Sequence, residues 1–103
     1  MSFKNIVVGD FGQTAQLTII DVDTGEAADI SGYATTIQMI FTNPSGTEIP
    51  KTATFVTDGT DGKIKYTIED GLFSVAGIWS VRGRVQGASG KLTSVIHRFN
   101  VGA

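Results

Sequence analysis

Apolar and polar side chains alternate one by one along several short segments of this chain. The clearest such segment has Trp79, Val81 and Val85 on one side and Arg82 and Arg84 on the other. A period of two is typical of a β-strand with one buried face. Other strand-like segments lie at residues 4–8, 16–19, 36–41, 48–56, 64–69 and 91–101, and no stretch of ten residues carries a helical apolar stripe. The pattern predicts about seven strands.

Residues that favour turns separate these segments. Gly, Asp and Asn are concentrated at residues 21–25, 43–46, 58–62 and 87–90, where they favour tight turns. Pro50 has no N–H to donate, so segment 48–56 is expected at a sheet edge or to start near this residue. Ile96 interrupts the alternation of the last segment, which predicts either a bulge or a side chain with contacts on both sides.

About seven short antiparallel strands in a chain of this length favour an all-β fold, specifically an immunoglobulin-like antiparallel β-sandwich. The composition agrees, because 13 Thr, 11 Ile and 9 Val stand against 3 Leu, and β-branched residues favour sheet over helix. A length of 103 residues predicts a single domain over residues 1–103. We expect Trp79 to anchor the core, since one indole fills the space between sheets about 10 Å apart.

The residue inventory argues against most catalytic chemistry. The chain has no cysteine and one histidine, His97, which excludes disulfides, thiolate zinc sites, cysteine nucleophiles and two-histidine metal sites. His97 is expected on the same face as Val95, Phe99 and Val101, as a structural or interface residue. We therefore expect no enzyme activity and no cofactor. The net charge of −2 is not the positive charge that is typical of nucleic-acid binding. No apolar stretch approaches the roughly 20 residues that span a membrane.

The acidic turns raise the question of a metal site. Asp21, Asp23 and Gly25 resemble the start of a calcium loop, but Glu26 and Gly32 occupy the positions that require Gly and Glu. Ordinary turn chemistry, in which Asp caps its own backbone, is the expected role, and no metal is assigned. The alternative is a cation site where acidic turns meet at one end of the sandwich, formed by Asp21, Asp23, Asp58, Asp61 and Asp70.

Arginines on the last strands are the candidate interaction site. Arg82, Arg84 and Arg98 fall on one outward face if the last two strands pair as a hairpin. Such a face is either simply solvated or a protein–protein interface, because arginine is enriched at interface hot spots and binds carboxylates in a bidentate manner. Three arginines on an acidic chain are too few to indicate nucleic-acid binding.

Aromatic residues at strand ends and in connections are expected to be exposed and allow a different function. Phe3, Phe11, Tyr33 and Phe73 either plug the ends of the sandwich or stack on sugars. The second role corresponds to a carbohydrate-binding or adhesin module that recognises a host-surface glycan. It is the alternative to a role in protein assembly.

The order of strands and turns resembles a bacteriophage family. The similarity covers residues 9–101 and is carried by the segments DVDTG at 21–25, DISG at 29–32, NPSGT at 43–47, DGKIKYT at 61–67 and VAGIW at 75–79. These segments are similar to the small immunoglobulin-like domains of phage tail and baseplate proteins, including the N-terminal domain of the baseplate upper protein.

The resemblance implies a non-catalytic structural protein of a phage or prophage virion, in the tail, baseplate or head. It implies partners among other virion proteins, a homo-oligomer, or both, and it implies location in the virion after synthesis in the cytoplasm of the host bacterium. Because the last predicted strand ends near Ala103, we expect either a part of a longer protein or a small stand-alone virion protein.

Overall fold

The fold is all-β, as the alternation predicts. It is seen in a computed structural model that describes residues 6–21, 23–88, 90–94 and 96–103. Among these residues no helix is long and apolar enough to cross a membrane. The described residues form nine strands: β1 (Ile6–Val7), β2 (Thr14–Thr18), β3 (Thr36–Thr42), β4 (Glu48–Thr52), β5 (Thr54–Phe55), β6 (Lys63–Thr67), β7 (Gly77–Gly87), β8 (Gly90–Thr93) and β9 (His97–Gly102).

The strands belong to two sheets. The larger sheet has the order β1-β9-β7-β3-β4, with β8 also paired to β7, and the smaller sheet has the order β2-β6-β5. All neighbouring strands are antiparallel except β1 and β9, which are parallel. The eleven residues of β7 make it the longest strand of the larger sheet, and it pairs with β3 along one side and with β8 and β9 along the other.

Two predicted strands are each divided in two, which accounts for nine strands where the alternation predicts about seven. Segment 48–56 becomes β4 in the larger sheet and β5 in the smaller one. The chain changes sheets at Ala53, whose N–H still donates to the carbonyl of Ile37 at 2.8 Å. Pro50 lies in β4 at the edge of the larger sheet, so its predicted edge position is confirmed.

The second division confirms an irregularity at Ile96. Three residue steps separate Arg84 from Val81 on β7, whereas four separate their partners Thr93 and His97 on the returning strand. One extra residue on one strand is the definition of a β-bulge, and it separates β8 from β9. Val95, expected to face inward, lies outside the described residues, as do residues 4 and 5 of the predicted first strand.

The core lies between the two sheets. Its fully buried side chains come from both sheets and from their connections; the largest are Trp79, Phe41, Phe73, Leu17, Ile19, Ile30, Met39, Ile64, Ile68, Val81, Val85 and Val101. The sheets approach closely at Gly83 of β7, where a Cβ atom would lie 2.8 Å from Cδ1 of Ile64 and 3.3 Å from Cδ1 of Ile19. Trp79, Val81 and Val85 are all buried, so the alternation predicts the buried face of β7 correctly.

Candidate functional site

The outer face of the larger sheet carries Arg82, Arg84 and Arg98, which we call the arginine face. On β7 the odd-numbered positions 79 to 85 are buried, so Arg82 and Arg84 point away from the core. Arg98 lies on β9 directly opposite Ser80 of β7, which puts it on the same face and diagonal to Arg82. Diagonal neighbours on antiparallel strands are about 7–8 Å apart. The hairpin of β7 with β9 thus brings the three arginines onto one surface.

Arg82 is held by a carboxylate of the same chain. Its Nη2 lies 2.7 Å from Oε2 of Glu48 at the start of β4, and the arginine side chain is 20% exposed. Ile40 of β3 lies opposite Arg82 of β7 on one side and opposite Pro50 of β4 on the other, so its side chain also faces outward. Only 3% of Ile40 is nevertheless exposed. Its position between these two residues lets the arginine stem and the proline ring cover it.

Arg84 has no such partner within the described residues. The register places it between Gln38 of β3 and Thr93 of β8. Its Nε is buried and has no hydrogen-bond acceptor in the described chain. A buried N–H without an acceptor is unfavourable. Neither Arg84 nor the exposed Arg98 has a carboxylate partner among the described residues, so the terminal nitrogens of both guanidinium groups are available to an acceptor from another molecule.

The charge of this face is opposite to that of the whole chain. Exposed Lys91 lies opposite Gln86 and adds a further cation on the outer face. Among the described strand residues, Glu48 is the only one that places a carboxylate on this face. The chain as a whole carries a net charge of −2. A positive surface on an acidic protein attracts a partner surface that is rich in carboxylates.

The acidic turns use their carboxylates for local structure. Oδ1 of Asp29 accepts the N–H and hydroxyl of Ser31, and Oδ1 of Asp58 accepts the same two groups of Thr60. These hydrogen bonds, those from the side chains first, hold the pKa of each aspartate below its usual value. The same contact to a backbone N–H two residues ahead is made by Asp21 and Asp61. No three acidic or histidine side chains in the described ranges form a group that could hold a metal ion.

A polar contact links the edge of the larger sheet to the smaller sheet. Nζ of Lys51 on β4 contacts Oε1 of Glu69, and the same oxygen accepts a hydrogen bond of 2.8 Å from Oη of Tyr66 on β6. The hydrogen bond from Lys51, followed by that from Tyr66, holds the pKa of Glu69 below its usual value. Burial, followed by the hydrogen bond to Glu69 and its negative charge, raises the pKa of Tyr66 to about 12. The cluster fastens the two sheets at one edge.

Aromatic residues do not form the exposed set that the sequence suggests. Phe73 was expected to be exposed, and this is wrong: it is fully buried, with its ring 5.3 Å from Trp79 and 5.7 Å from Phe99. A residue in a connection carries no alternation to indicate its burial. Phe11 is 61% exposed, Tyr33 is partly buried against the core, and Phe3 lies outside the described residues.

Trp79 lies in the core, where 1% of it is exposed. Its Nε1 donates a hydrogen bond of 3.0 Å to the carbonyl of Val75, so its one polar group is paired. His97 lies opposite Val81 on the inward side of β9 and is partly buried.

A groove lies beside Tyr33. It has a volume of about 460 Å³ and is lined by Ile20, Leu92 and three aspartates, among other residues. Two of these aspartates, Asp21 and Asp29, already accept backbone N–H groups within their own turns. One oxygen of each of these two carboxylates is thus already hydrogen-bonded within the protein before any ligand enters the groove.

Comparison with known proteins agrees with a structural role. The profile of one protein family, described as the BppU N-terminal domain, matches residues 4–101. No curated protein matches the chain. BppU is the baseplate upper protein, a structural protein of the phage baseplate and therefore a virion component. Since the match covers nearly the whole of the 103 residues, the chain belongs to the family of the phage baseplate upper protein N-terminal domain.

Proposed function

We propose that this chain is a virion structural domain that works by protein–protein assembly and carries out no catalysis. Membership of a baseplate family supports a structural role in the virion. One core cluster that draws side chains from both sheets supports a single domain with an immunoglobulin-like β-sandwich fold. Synthesis in the cytoplasm of the host bacterium, followed by incorporation into the virion, belongs to the same proposal.

The arginine face is the proposed contact surface, and the observation that carries this assignment is that Arg84 and Arg98 have no carboxylate partner among the described residues. Their neighbour Arg82 already has Glu48 as a carboxylate partner. A carboxylate from another baseplate protein is the proposed partner, and a guanidinium binds it through two parallel hydrogen bonds from its terminal nitrogens. Arg98 lies on the same face and extends the contact toward β9.

The test is binding of the purified chain to the other baseplate proteins of the same phage. We expect the double variant Arg84→Gln, Arg98→Gln to weaken the contact at least about tenfold, because arginines at interface centres are frequent hot spots. The matched control is Lys63→Gln, Lys65→Gln, which removes the same charge from the outer face of the smaller sheet. Equal binding by the arginine variant and the wild-type protein contradicts the assignment.

A carbohydrate-binding role is the second candidate, and the groove beside Tyr33 favours it. An aromatic ring next to aspartates is a combination that stacks on and hydrogen-bonds sugars. The test is a glycan array with the wild-type protein and Tyr33→Ala. Binding that disappears in the variant supports this candidate, and an array without signal rejects it.

A further inference from the structure

Strand β2 forms an open edge of the smaller sheet. Among the described residues it pairs with β6 alone. Ile19 donates its N–H to Gly62, and Gln13 accepts the N–H of Ile68, so odd-numbered residues bond toward β6. Backbone groups of successive strand residues point to opposite sides. The N–H and C=O groups of Thr14, Gln16 and Thr18 therefore point toward the open edge.

This edge lacks the features that prevent strands from pairing with other molecules. Proteins protect open edges with proline, with charged side chains or by keeping the strand short. Strand β4, an edge of the larger sheet, has both Pro50 and charged neighbours. The N–H of Ala53 donates to the carbonyl of Ile37, and the N–H of Asn43 donates to the carbonyl of Thr47, so the odd-numbered residues bond toward β3. The backbone groups of the even-numbered residues of β4 therefore point to the open edge, where Pro50 has no N–H to donate. The sequence of β2, TAQLT, has neither proline nor charge.

The sequence of β2 is also nearly symmetric about its centre. Reading outward from Gln16, each direction gives one buried apolar residue and then one threonine. We propose that a second copy of this chain pairs with β2 in antiparallel orientation, around a two-fold axis at Gln16. Each strand then supplies three N–H and three C=O groups, which form about six hydrogen bonds. On the solvent side Thr14 lies opposite Thr18 of the second copy, and threonine pairs across strands are favourable.

The residues that flank β2 support the same arrangement. Phe11 precedes the strand and is 61% exposed, and Ile20 follows it and is 43% exposed. Phe11 and Ile20 lie beyond opposite ends of β2, so the two-fold axis brings Phe11 of each copy to the end of the strand pair where Ile20 of the other copy lies. The two-fold axis repeats the contact at the other end, so four exposed apolar side chains become covered in pairs. A two-fold interface uses the same patch on both copies, as this register requires.

The self-association is separate from the proposed contact through the arginine face. Strand β2 belongs to the smaller sheet, whereas the three arginines belong to the outer face of the larger one. One copy can therefore pair through β2 and present its arginines at the same time. Failure of either contact leaves the other to be measured independently.

The first test compares two identical substitutions by sedimentation at increasing protein concentration. In Gln16→Glu, two carboxylates meet at the two-fold axis, while within one copy the new carboxylate lies opposite Lys65 and is tolerated. Gln86→Glu is the matched control, since Gln86 is also exposed and lies opposite a lysine, Lys91. We expect a wild-type dimer that Gln16→Glu weakens at least tenfold and Gln86→Glu leaves intact. A wild-type protein that stays monomeric at millimolar concentration overturns the inference.

Disulfide trapping gives a second readout that does not depend on the charged variant. The chain has no cysteine, so Gln16→Cys introduces the single thiol. Cα atoms of a hydrogen-bonded antiparallel pair lie about 5.5 Å apart, within the range that a disulfide spans. We expect covalent dimers of Gln16→Cys under mild oxidation and monomers of Gln86→Cys. Equal yields from the two variants contradict pairing at β2.

Discussion

The backbone N–H of Gly83 donates a hydrogen bond of 2.7 Å to the side-chain Oγ of Ser94, and the carbonyl of Gly83 accepts the N–H of Ser94 at 2.8 Å. The serine hydroxyl thus stands where a regular ladder places a backbone carbonyl. This exchange occurs where the bulge begins, between β8 and β9. The side chain of Ser94 keeps a buried N–H satisfied while the register shifts by one residue.

Replacement of Ser94 by alanine is therefore expected to destabilise the fold. The variant leaves the buried N–H of Gly83 without this acceptor, a loss of about 1–3 kcal/mol. Thr93→Ala is the control, because Thr93 is the exposed residue that precedes Ser94 at the end of β8. Urea unfolding followed by circular dichroism measures both. Equal midpoints for the two variants contradict the role of the hydroxyl.

Truncation of Trp79 is expected to lower the free energy of unfolding more than truncation of any other core residue. Trp79 has the largest fully buried side chain of the described residues and packs edge-on against Phe73. Trp79→Ala leaves a cavity and should reduce the free energy of unfolding by about 3–5 kcal/mol. Ile78→Ala serves as the control, since Ile78 is 59% exposed. A loss for Trp79→Ala no larger than that for Ile78→Ala contradicts the anchoring role.

A comparison of two glycines with the same backbone conformation distinguishes backbone strain from steric conflict of an added Cβ atom. Gly25 and Gly62 both have a φ of 73°, a region that costs other residues about 1–2 kcal/mol. A Cβ atom on Gly25 meets nothing within 4 Å, whereas on Gly62 it meets the carbonyl oxygens of Ala28 at 2.8 Å and Ile19 at 2.9 Å. We expect Gly62→Ala to lower the thermal midpoint clearly more than Gly25→Ala. Similar midpoints indicate that the backbone moves aside.

Alternation predicts which residues face the core but not which strands pair. The buried positions of β7, including Trp79 and Val85, follow from period two alone. The change of sheet at Ala53 leaves no trace in the pattern, because Ala53 and Phe55 both stay on the inward side while the partner strand changes. Ladder partners depend on contacts distant in sequence, which local periodicity does not encode.

The same distinction applies to the candidate site. Arg82 and Arg84 share a face because they are two residues apart on one strand, and this is visible in the sequence. The pairing of Arg82 with Glu48 requires β3 to pair with β7 on one side and with β4, which carries Glu48, on the other. The burial of Phe73 likewise depends on tertiary packing of a connection.

Ionisation of Tyr66 is expected to limit stability at high pH. The pKa of Tyr66 is raised from 10 to about 12 in the folded chain, first by burial and then by Glu69. The folded state therefore binds more protons than the unfolded state between these values, so the stabilisation is complete below pH 10 and is lost as the pH rises toward 12. Tyr66→Phe should remove this part of the decline.

The pKa itself can be followed by the ultraviolet absorbance of tyrosinate in a Tyr33→Phe background, because the chain has two tyrosines. We expect Glu69→Gln to lower the pKa of Tyr66 by removing a negative charge. The value should still lie above 10, since burial is the largest cause of the shift. Lys63→Gln, on the outer face of β6, serves as a control for a general change in charge. Titration of Tyr66 near 10 in the folded chain contradicts both the burial of Tyr66 and its hydrogen bond to Glu69.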